Sequence, residues 1–78
     1  MYYVYALSSQ DQNYIYVGLT NNLERRFKQH NSSKERTTRS YAPFKLIYEE
    51  RFKTRITARQ KEKFLKGGSG KEFLKTLE

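Results

Sequence analysis

Hydrophobic and polar residues alternate in two segments near the start of the chain, residues 2–7 and 14–17. Alternation with a period of two is typical of strands that bury one face. The polar segment between them, residues 8–13, predicts a turn. We therefore expect a hairpin that sets Tyr5 opposite Tyr16, with two phenol groups side by side on one face of the sheet.

A helix is expected to begin soon after Gly18, which should end the second strand. Asn21 or Asn22 can cap this helix, because an asparagine side chain accepts hydrogen bonds from the free N–H groups of a first turn. At about 100° per residue, Arg26 borders the apolar face of the helix, whereas Arg25 points nearly the opposite way. The two adjacent arginines are therefore expected to differ in role.

The third predicted strand covers residues 44–52 and follows a polar, basic segment, residues 31–43, that we expect to be a mobile loop. Apolar residues recur in this strand at mostly even spacing, which predicts that they share one buried face. The residues assigned to that face are Phe44, Leu46, Tyr48 and Phe52.

Two further helices are predicted towards the end of the chain. Thr54 or Thr57 can cap the first of them, and the Gly67–Gly68 pair should stop it. Ser69, with Glu72 three residues later, matches a capping box that would open the last helix. Its apolar residues are expected to dock on the core: Phe73, Leu74 and Leu77.

The element order is thus strand, strand, helix, strand, helix, helix. This order predicts an α+β fold in which a small three-stranded antiparallel sheet packs with about three helices. A chain of 78 residues is expected to form one domain, residues 1–78, with a small core. No segment has the length or apolar character of a signal peptide or a membrane span, so we expect a cytoplasmic protein with no membrane partner.

Composition narrows the candidate chemistry. The chain has no cysteine and one histidine, which excludes disulfide scaffolds and makes a zinc site implausible. Its net charge is +8, and all 16 Lys and Arg residues follow residue 24. This distribution, with seven Tyr and five Phe, favours nucleic acid as the partner over a basic surface that serves only solubility. The candidate DNA contacts are Arg25, Lys28, Asn31, Lys34, Arg36, Arg39, Lys45 and Lys66.

Among the carboxylates, Glu62 stands out because helical spacing places it beside the face that should touch the sheet. The alternative is an ordinary ion pair with Lys66, four residues later. His30 can orient a water or contact phosphate, but a packing role is the simpler interpretation. A tyrosine can act as a general base only if neighbouring cations lower a pKa that is ordinarily near 10.

Several of these features resemble the GIY-YIG endonuclease family. Tyr3-Val4-Tyr5 stands where the GIY tripeptide is expected, and Tyr16-Val17-Gly18 where YIG is expected. The helical segment LERRFKQHN resembles the one that follows YIG in the family, including Arg26 and the His30-Asn31 pair. The segment ARQKEKFLKGGSGKEFL resembles the end of small bacterial members.

The resemblance implies a hydrolytic cut in DNA that depends on one Mg²⁺ or Mn²⁺ ion held by Glu62. Tyr5 or Tyr16 would take the proton from the attacking water, with Tyr16 favoured, and Arg26 would stabilise the charge on phosphate. Branched, nicked or damaged DNA is the implied substrate, with a protein partner that supplies specificity. A nucleic-acid-binding module without catalysis is the main alternative, and an adaptor for protein partners is a third.

Overall fold

The structure is a computed structural model, and it describes residues 1–32 and 35–78. Its elements follow the predicted order and confirm the α+β class, with a short 3₁₀ turn added before the third strand. The elements are β1 (Tyr2–Ser9), β2 (Ile15–Thr20), α1 (Leu23–Asn31), the 3₁₀ turn (Arg39–Tyr41), β3 (Phe44–Phe52), α2 (Arg55–Lys66) and α3 (Gly68–Lys75).

The sheet has the order β2-β1-β3, and both pairings are antiparallel. β1 is the central strand, and six consecutive residues of it, 4–9, are buried. One face of the sheet packs with α2 and α3 through a cluster that includes Val4, Ala6 and Leu65. The opposite face packs with α1 through a cluster around Tyr5 and Leu7.

The predicted register of the hairpin is wrong by two residues. Tyr5 pairs with Gly18, and Tyr16 pairs with Leu7. The reason is that the turn is centred one residue later than expected, between Asp11 and Gln12, because the Ser9 amide donates to the Tyr14 carbonyl and residues 10–13 form the loop. β2 also does not end at Gly18 but continues to Thr20. Because the shift is an even number, Tyr5 and Tyr16 still share one face, as diagonal neighbours with ring centroids 6.2 Å apart.

The predicted single apolar face of β3 is also wrong. Between the pairs Tyr48 with Ala6 and Leu46 with Leu7, β3 carries one more residue than β1. A bulge of this kind reverses the inward and outward alternation beyond it. Phe44 and Leu46 therefore join the Tyr5 cluster, whereas Tyr48 and Phe52 pack on the other side of the sheet.

Two of the predicted helix caps are confirmed. The Asn22 side chain accepts a hydrogen bond from the Arg25 amide at 3.1 Å, and α1 begins at Leu23. The Thr54 hydroxyl accepts from the Thr57 amide at 3.2 Å, and α2 ends before Gly67. Both caps satisfy amide groups that have no partner within the helix.

The capping box predicted at Ser69 is wrong. α3 begins at Gly68, and its N-cap residue, Gly67, offers no side chain to the first turn. Because the helix starts one residue before Ser69, Ser69 lies inside the first turn and cannot cap it. α3 approaches α2 closely at Gly70, where a Cβ atom would clash with the Phe64 carbonyl oxygen. Leu74 docks in the core as expected, whereas Phe73 and Leu77 remain 42 % and 36 % exposed. Phe73 packs edge-on against Tyr48 at the margin of the core.

Within the two described ranges, no helix combines the length and the apolar character needed to cross a bilayer.

Candidate active site

The site is built around Tyr5, which is fully buried in the central strand. Its cross-strand partner is Gly18, and the phenol ring lies over that glycine. A Cβ atom at position 18 would approach the Tyr5 hydroxyl oxygen to 2.5 Å and a carbon of the Tyr16 ring to 2.9 Å. Glycine is therefore required at position 18 by the space that the two rings occupy, and not by the end of a strand.

His30 connects Tyr5 to the segment after α1. Its Nε2 atom lies 3.1 Å from the Tyr5 hydroxyl, and its Nδ1 atom lies 2.8 Å from the hydroxyl of buried Thr38. The imidazole is fully buried, and its centroid lies 4.7 Å from that of Tyr16. Burial lowers the pKa of His30, and the nearby charge of Arg26 lowers it further. The ring is therefore held neutral, with a hydrogen-bonding partner at each nitrogen.

The two tyrosines differ in their burial. Burial and, to a smaller extent, the neighbouring Tyr16 raise the pKa of Tyr5 to about 12. An interaction with the Arg26 guanidinium opposes this shift without cancelling it. Tyr16 is only partly buried and lines a cleft of about 600 Å³. Of the two phenols, Tyr16 is thus the one that an incoming ligand can reach.

Arg26 lies at the edge of this cluster with about a quarter of its side chain exposed. One of its terminal nitrogens, Nη1, is 2.6 Å from a carboxylate oxygen of Glu35 and 3.0 Å from the side-chain oxygen of Gln29. Hydrogen bonds with Glu35 and Tyr5 raise the pKa of Arg26 despite its partial burial. The guanidinium is thus a fixed positive charge next to the buried phenol.

β2 is an edge strand, and clefts flank it at both ends. Tyr16 lines the larger cleft together with Lys66 of α2. Arg26 lines a smaller one, of about 290 Å³, together with Arg55, the first residue of α2. Side chains from α1, from β2 and from α2 therefore meet along this edge of the sheet.

Glu62 lies on α2 with 13 % of its side chain exposed. The ion pair that the sequence offered as an alternative is present, because the Lys66 ammonium lies 3.2 Å from a Glu62 carboxylate oxygen. Lys66 lines the cleft with Tyr16, whereas Glu62 itself is not among the residues that line it.

The residues present fit a weakly held divalent ion. Among residues 1–32 and 35–78, no three histidine, cysteine or acidic side chains converge on one point. Mg²⁺ is commonly held by only one or two carboxylates, and water and substrate phosphate oxygens complete its octahedron. A single carboxylate at Glu62 suits an ion that binds together with substrate.

The predicted DNA contacts lie in different parts of the protein. Arg25 and Lys28 lie on the outer surface of α1 and line a shallow depression there. The side-chain oxygen of Asn31 accepts a hydrogen bond from the Phe44 amide, which anchors the end of α1 to β3. Lys34 lies outside the described residues. The remaining candidates are exposed at scattered points of the surface: Arg36, Arg39, Lys45 and Lys66.

Sequence reasoning did not identify Thr38, Glu35 and Arg55 as parts of this site. Thr38 and Glu35 come from a polar segment whose composition suggested a mobile loop, and no periodic pattern marks either residue. Arg55 follows the predicted cap Thr54, but its position beside Arg26 depends on how α2 crosses the sheet. Only the unusual burial of a threonine and a histidine in contact reveals the role of the loop.

Comparisons with known proteins identify the family and the fold. Residues 1–76 match the model of the GIY-YIG catalytic domain. A UPF0213 protein of Bacillus licheniformis is 41 % identical over 78 residues, which cover 99 % of this chain and 79 % of the relative. A UPF0213 protein of Clostridium perfringens is 42 % identical over 67 residues, or 85 % of this chain and 71 % of the relative.

A solved structure shows the same fold. The solution NMR structure of a UPF0213 protein from Bacillus halodurans superposes with a TM-score of 0.58 at 34 % identity, and it covers all of this chain and 86 % of that protein. The family match spans almost the whole chain and includes both tripeptides and the helix that carries Arg26. This chain therefore belongs to the GIY-YIG domain family, whose members are generally nucleases.

Proposed function

We propose that this protein is a metal-dependent endonuclease that hydrolyses phosphodiester bonds in DNA. The observation that carries the proposal is the chain of contacts from Thr38 through His30 to Tyr5, with Arg26 and Tyr16 at its solvent side. A structural role alone does not require a buried imidazole with a partner at each nitrogen next to a fixed guanidinium. General acid–base catalysis on phosphate needs a proton acceptor and a cation held in fixed positions, and the contacts of Tyr16 and Arg26 with this cluster support those roles.

Each group then has a distinct part in the reaction. Tyr16 in its ionised, phenolate form accepts a proton from the attacking water, whose oxygen forms the new bond to phosphorus. As the bond between phosphorus and the leaving oxygen breaks, the leaving oxygen takes a proton from solvent water, and Arg26 stabilises the negative charge that develops on the phosphate oxygens. Tyr5 has a raised pKa and no exposure, so we assign it a positioning role through His30.

Glu62 would hold the divalent ion, Mg²⁺ or Mn²⁺. When bound, such an ion supplies Lewis acidity toward phosphate oxygens. Lys66 must yield the Glu62 carboxylate, or share it, for this to occur. The pair is partly exposed, so its loss costs little free energy.

The resemblance to the GIY-YIG endonuclease family supports branched or nicked DNA as the substrate. It also supports a role in DNA repair or recombination in the cytoplasm. A protein partner would direct the choice of substrate. The scattered basic residues are consistent with loose binding of the backbone, because phosphate contacts give affinity without sequence preference.

One observation favours a second candidate, a module that binds nucleic acid without cutting it. Both central charged groups are already neutralised in the free protein, Arg26 by Glu35 and Glu62 by Lys66. A protein that only needs a stable basic surface would retain such pairs.

A cleavage screen separates the two candidates. Purified protein is incubated with labelled duplex, nicked, flap and junction DNA in the presence of Mg²⁺, Mn²⁺ or a chelator. We expect cleavage of at least one substrate with metal and none with chelator or in Arg26→Ala. Salt-sensitive binding to these substrates without any cleavage would favour the binding module.

A further inference from the structure

Thr38 is a fully buried threonine whose side chain contacts the histidine of the site. Its hydroxyl oxygen lies 2.8 Å from the Nδ1 atom of His30, and neither residue has any exposed surface. A buried hydroxyl group destabilises a fold unless it makes a hydrogen bond, and valine has nearly the same shape without that group. The threonine therefore indicates that the bond to His30 matters at this position, and not packing alone.

The loop fixes the position of Thr38 through its backbone. The amide of Thr38 donates to the carbonyl oxygen of Glu35 at 3.2 Å, and its carbonyl accepts from the Tyr41 amide at 2.9 Å. The residue before it, Thr37, is exposed. Of the two adjacent threonines, Thr38 is thus the one that presents its hydroxyl group to the imidazole.

The direction of the hydrogen bonds follows from the arginine at the other end of the cluster. A guanidinium has donors and no acceptor, so Arg26 can only donate in its hydrogen bond with the Tyr5 hydroxyl group. The phenol oxygen is an acceptor on that side, and its own proton needs a different acceptor. The Nε2 atom of His30 lies 3.1 Å from this oxygen and is the acceptor that the described residues offer to it.

This direction determines the tautomer of His30. A neutral imidazole carries one proton, on either Nδ1 or Nε2. If Nε2 accepts from Tyr5, the proton lies on Nδ1 and is donated to the Thr38 oxygen. The opposite tautomer would direct two donors at the Tyr5 oxygen and would leave the phenol proton buried, with no acceptor among the residues described. An unpaired buried donor is unfavourable, so the first arrangement is the more stable.

We propose that Thr38 is a positioning residue, which accepts the Nδ1 proton of His30 and so holds the imidazole in the tautomer whose Nε2 accepts from Tyr5. The lone pairs of the Tyr5 oxygen are then directed to the Arg26 guanidinium. Each member of this chain donates to the next, and hydrogen bonds in such a chain strengthen one another. The result is an arginine held in one orientation towards phosphate. The part in catalysis rests on the proposed function, whereas the tautomer does not.

NMR reads the tautomer directly, because His30 is the only histidine in the chain. Protein labelled with ¹⁵N-histidine is recorded in a long-range ¹H–¹⁵N spectrum at about pH 7.5, above the ordinary pKa of histidine. Protonated and unprotonated ring nitrogens differ widely in ¹⁵N shift, and Nε2 is identified by its correlations with both carbon-bound ring protons.

The test variant is Thr38→Val, which removes the hydroxyl group, and Thr38→Ser restores it. Thr37→Val is the matched control, because it makes the same substitution at the exposed neighbour. Melting curves establish that each variant is folded, and Thr38→Ala replaces Thr38→Val if the latter is not.

We expect wild type to show a protonated Nδ1 and an unprotonated Nε2. Thr38→Val should move the proton to Nε2 or divide it between the two nitrogens, because Nδ1–H then has no acceptor. Thr38→Ser and Thr37→Val should keep the wild-type spectrum. Single-turnover cleavage by Thr38→Val should be about 10–100-fold slower, comparable to the loss when a metal-binding histidine loses its outer partner. Thr38→Ser should restore most of that rate.

An unprotonated Nδ1 in wild type would overturn the proposal, and so would an unchanged spectrum in Thr38→Val. A wild-type rate of cleavage in Thr38→Val, despite a changed tautomer, would show that Thr38 does not position the site. The proposed function fails separately. If wild type has the expected tautomer but cuts no DNA, the nuclease is refuted and the tautomer stands, whereas cleavage by a wild type with the opposite tautomer would do the reverse.

Discussion

The hydroxyl oxygen of Tyr5 lies 2.5 Å from the point that a Cβ atom would occupy at Gly18. The ring carbon that bears this hydroxyl lies 2.6 Å from the same point. Both distances are far below a normal contact between heavy atoms, and Tyr5 is enclosed in the core, so it cannot move aside. Because Gly18, in the second tripeptide, has no side chain, the Tyr5 ring of the first tripeptide can occupy the space beside it.

This relationship predicts the effect of Gly18→Ala. The added methyl group should lower the free energy of unfolding by about 1–3 kcal/mol, the usual cost of overpacking a core. Tyr5→Leu shortens the side chain, so the double variant Gly18→Ala/Tyr5→Leu should lose less than the sum of the two single losses. Urea denaturation of the four proteins measures this coupling.

Gly68→Ala is the matched control for that substitution. Nothing lies within 4 Å of a Cβ atom at Gly68, and the residue opens α3 without a positive φ. Its stability should be unchanged or slightly raised, because alanine favours a helix more than glycine does. Equal destabilisation by Gly18→Ala and Gly68→Ala would show that Tyr5 does not set the requirement at position 18.

The two tyrosines should respond differently to loss of the hydroxyl group. Tyr16→Phe removes the proposed proton acceptor and should slow single-turnover cleavage by about 10²–10⁴-fold. Tyr5→Phe removes the hydrogen bond to His30 and the interaction with Arg26, but no proton acceptor, and should slow it by less. A larger loss in Tyr5→Phe than in Tyr16→Phe would reverse the assignment of the base.

His30 should make stability depend on pH. Burial lowers the pKa of the folded imidazole below the ordinary value of 6.5. Below about pH 6.5 the unfolded chain therefore binds a proton that the folded protein does not, and the free energy of unfolding falls as pH falls towards the folded pKa. The slope can reach about 1.4 kcal/mol per pH unit for one such group.

Urea denaturation at pH 7.5 and pH 5.5 tests this effect. His30 is the only histidine in the chain, so His30→Gln should reduce the difference between the two pH values. The Arg26–Glu35 ion pair beside the ring is unchanged in that variant, and so are the other carboxylates of the protein. The pH dependence of stability that remains in His30→Gln therefore comes from those groups. An identical difference in both proteins would mean that burial does not shift the pKa of this imidazole.

Glu35 should restrain the arginine that we assign to catalysis. In Glu35→Gln the guanidinium loses its charged partner and becomes available to phosphate, so binding of DNA in chelator should strengthen severalfold. Stability should change by less than about 1 kcal/mol, because the pair is partly exposed. Glu24→Gln breaks the exposed pair with Lys28 and serves as the control of equal charge. Equal gains in affinity from both substitutions would reduce the effect to net charge.

The fold was largely predictable because its signals are local. Asn22 and Thr54 cap helices through contacts three residues away, and period-two alternation marks every strand. The failures depend on tertiary packing. The bulge in β3 moves Tyr48 and Phe52 to the opposite face of the sheet, and no residue type in that strand predicts a bulge.

The site shows the same division. The shared face of Tyr5 and Tyr16 follows from alternation, and the place of Arg26 beside the apolar side of α1 follows from helical spacing. The partners that hold these groups come from the loop, where Thr38 meets His30 and Glu35 meets Arg26. Contacts of this kind depend on the path of a loop across the sheet, for which sequence patterning gives no rule.

The most direct test of the account is a Mn²⁺ titration of single-turnover cleavage on nicked and flap DNA. Wild type is compared with Glu62→Gln and with Glu72→Gln, which neutralises an exposed carboxylate on α3. We expect cleavage that rises with Mn²⁺ in wild type and Glu72→Gln, and a loss of at least about 10²-fold in folded Glu62→Gln. Cleavage by Glu62→Gln with the rate and metal dependence of wild type would contradict the site described here.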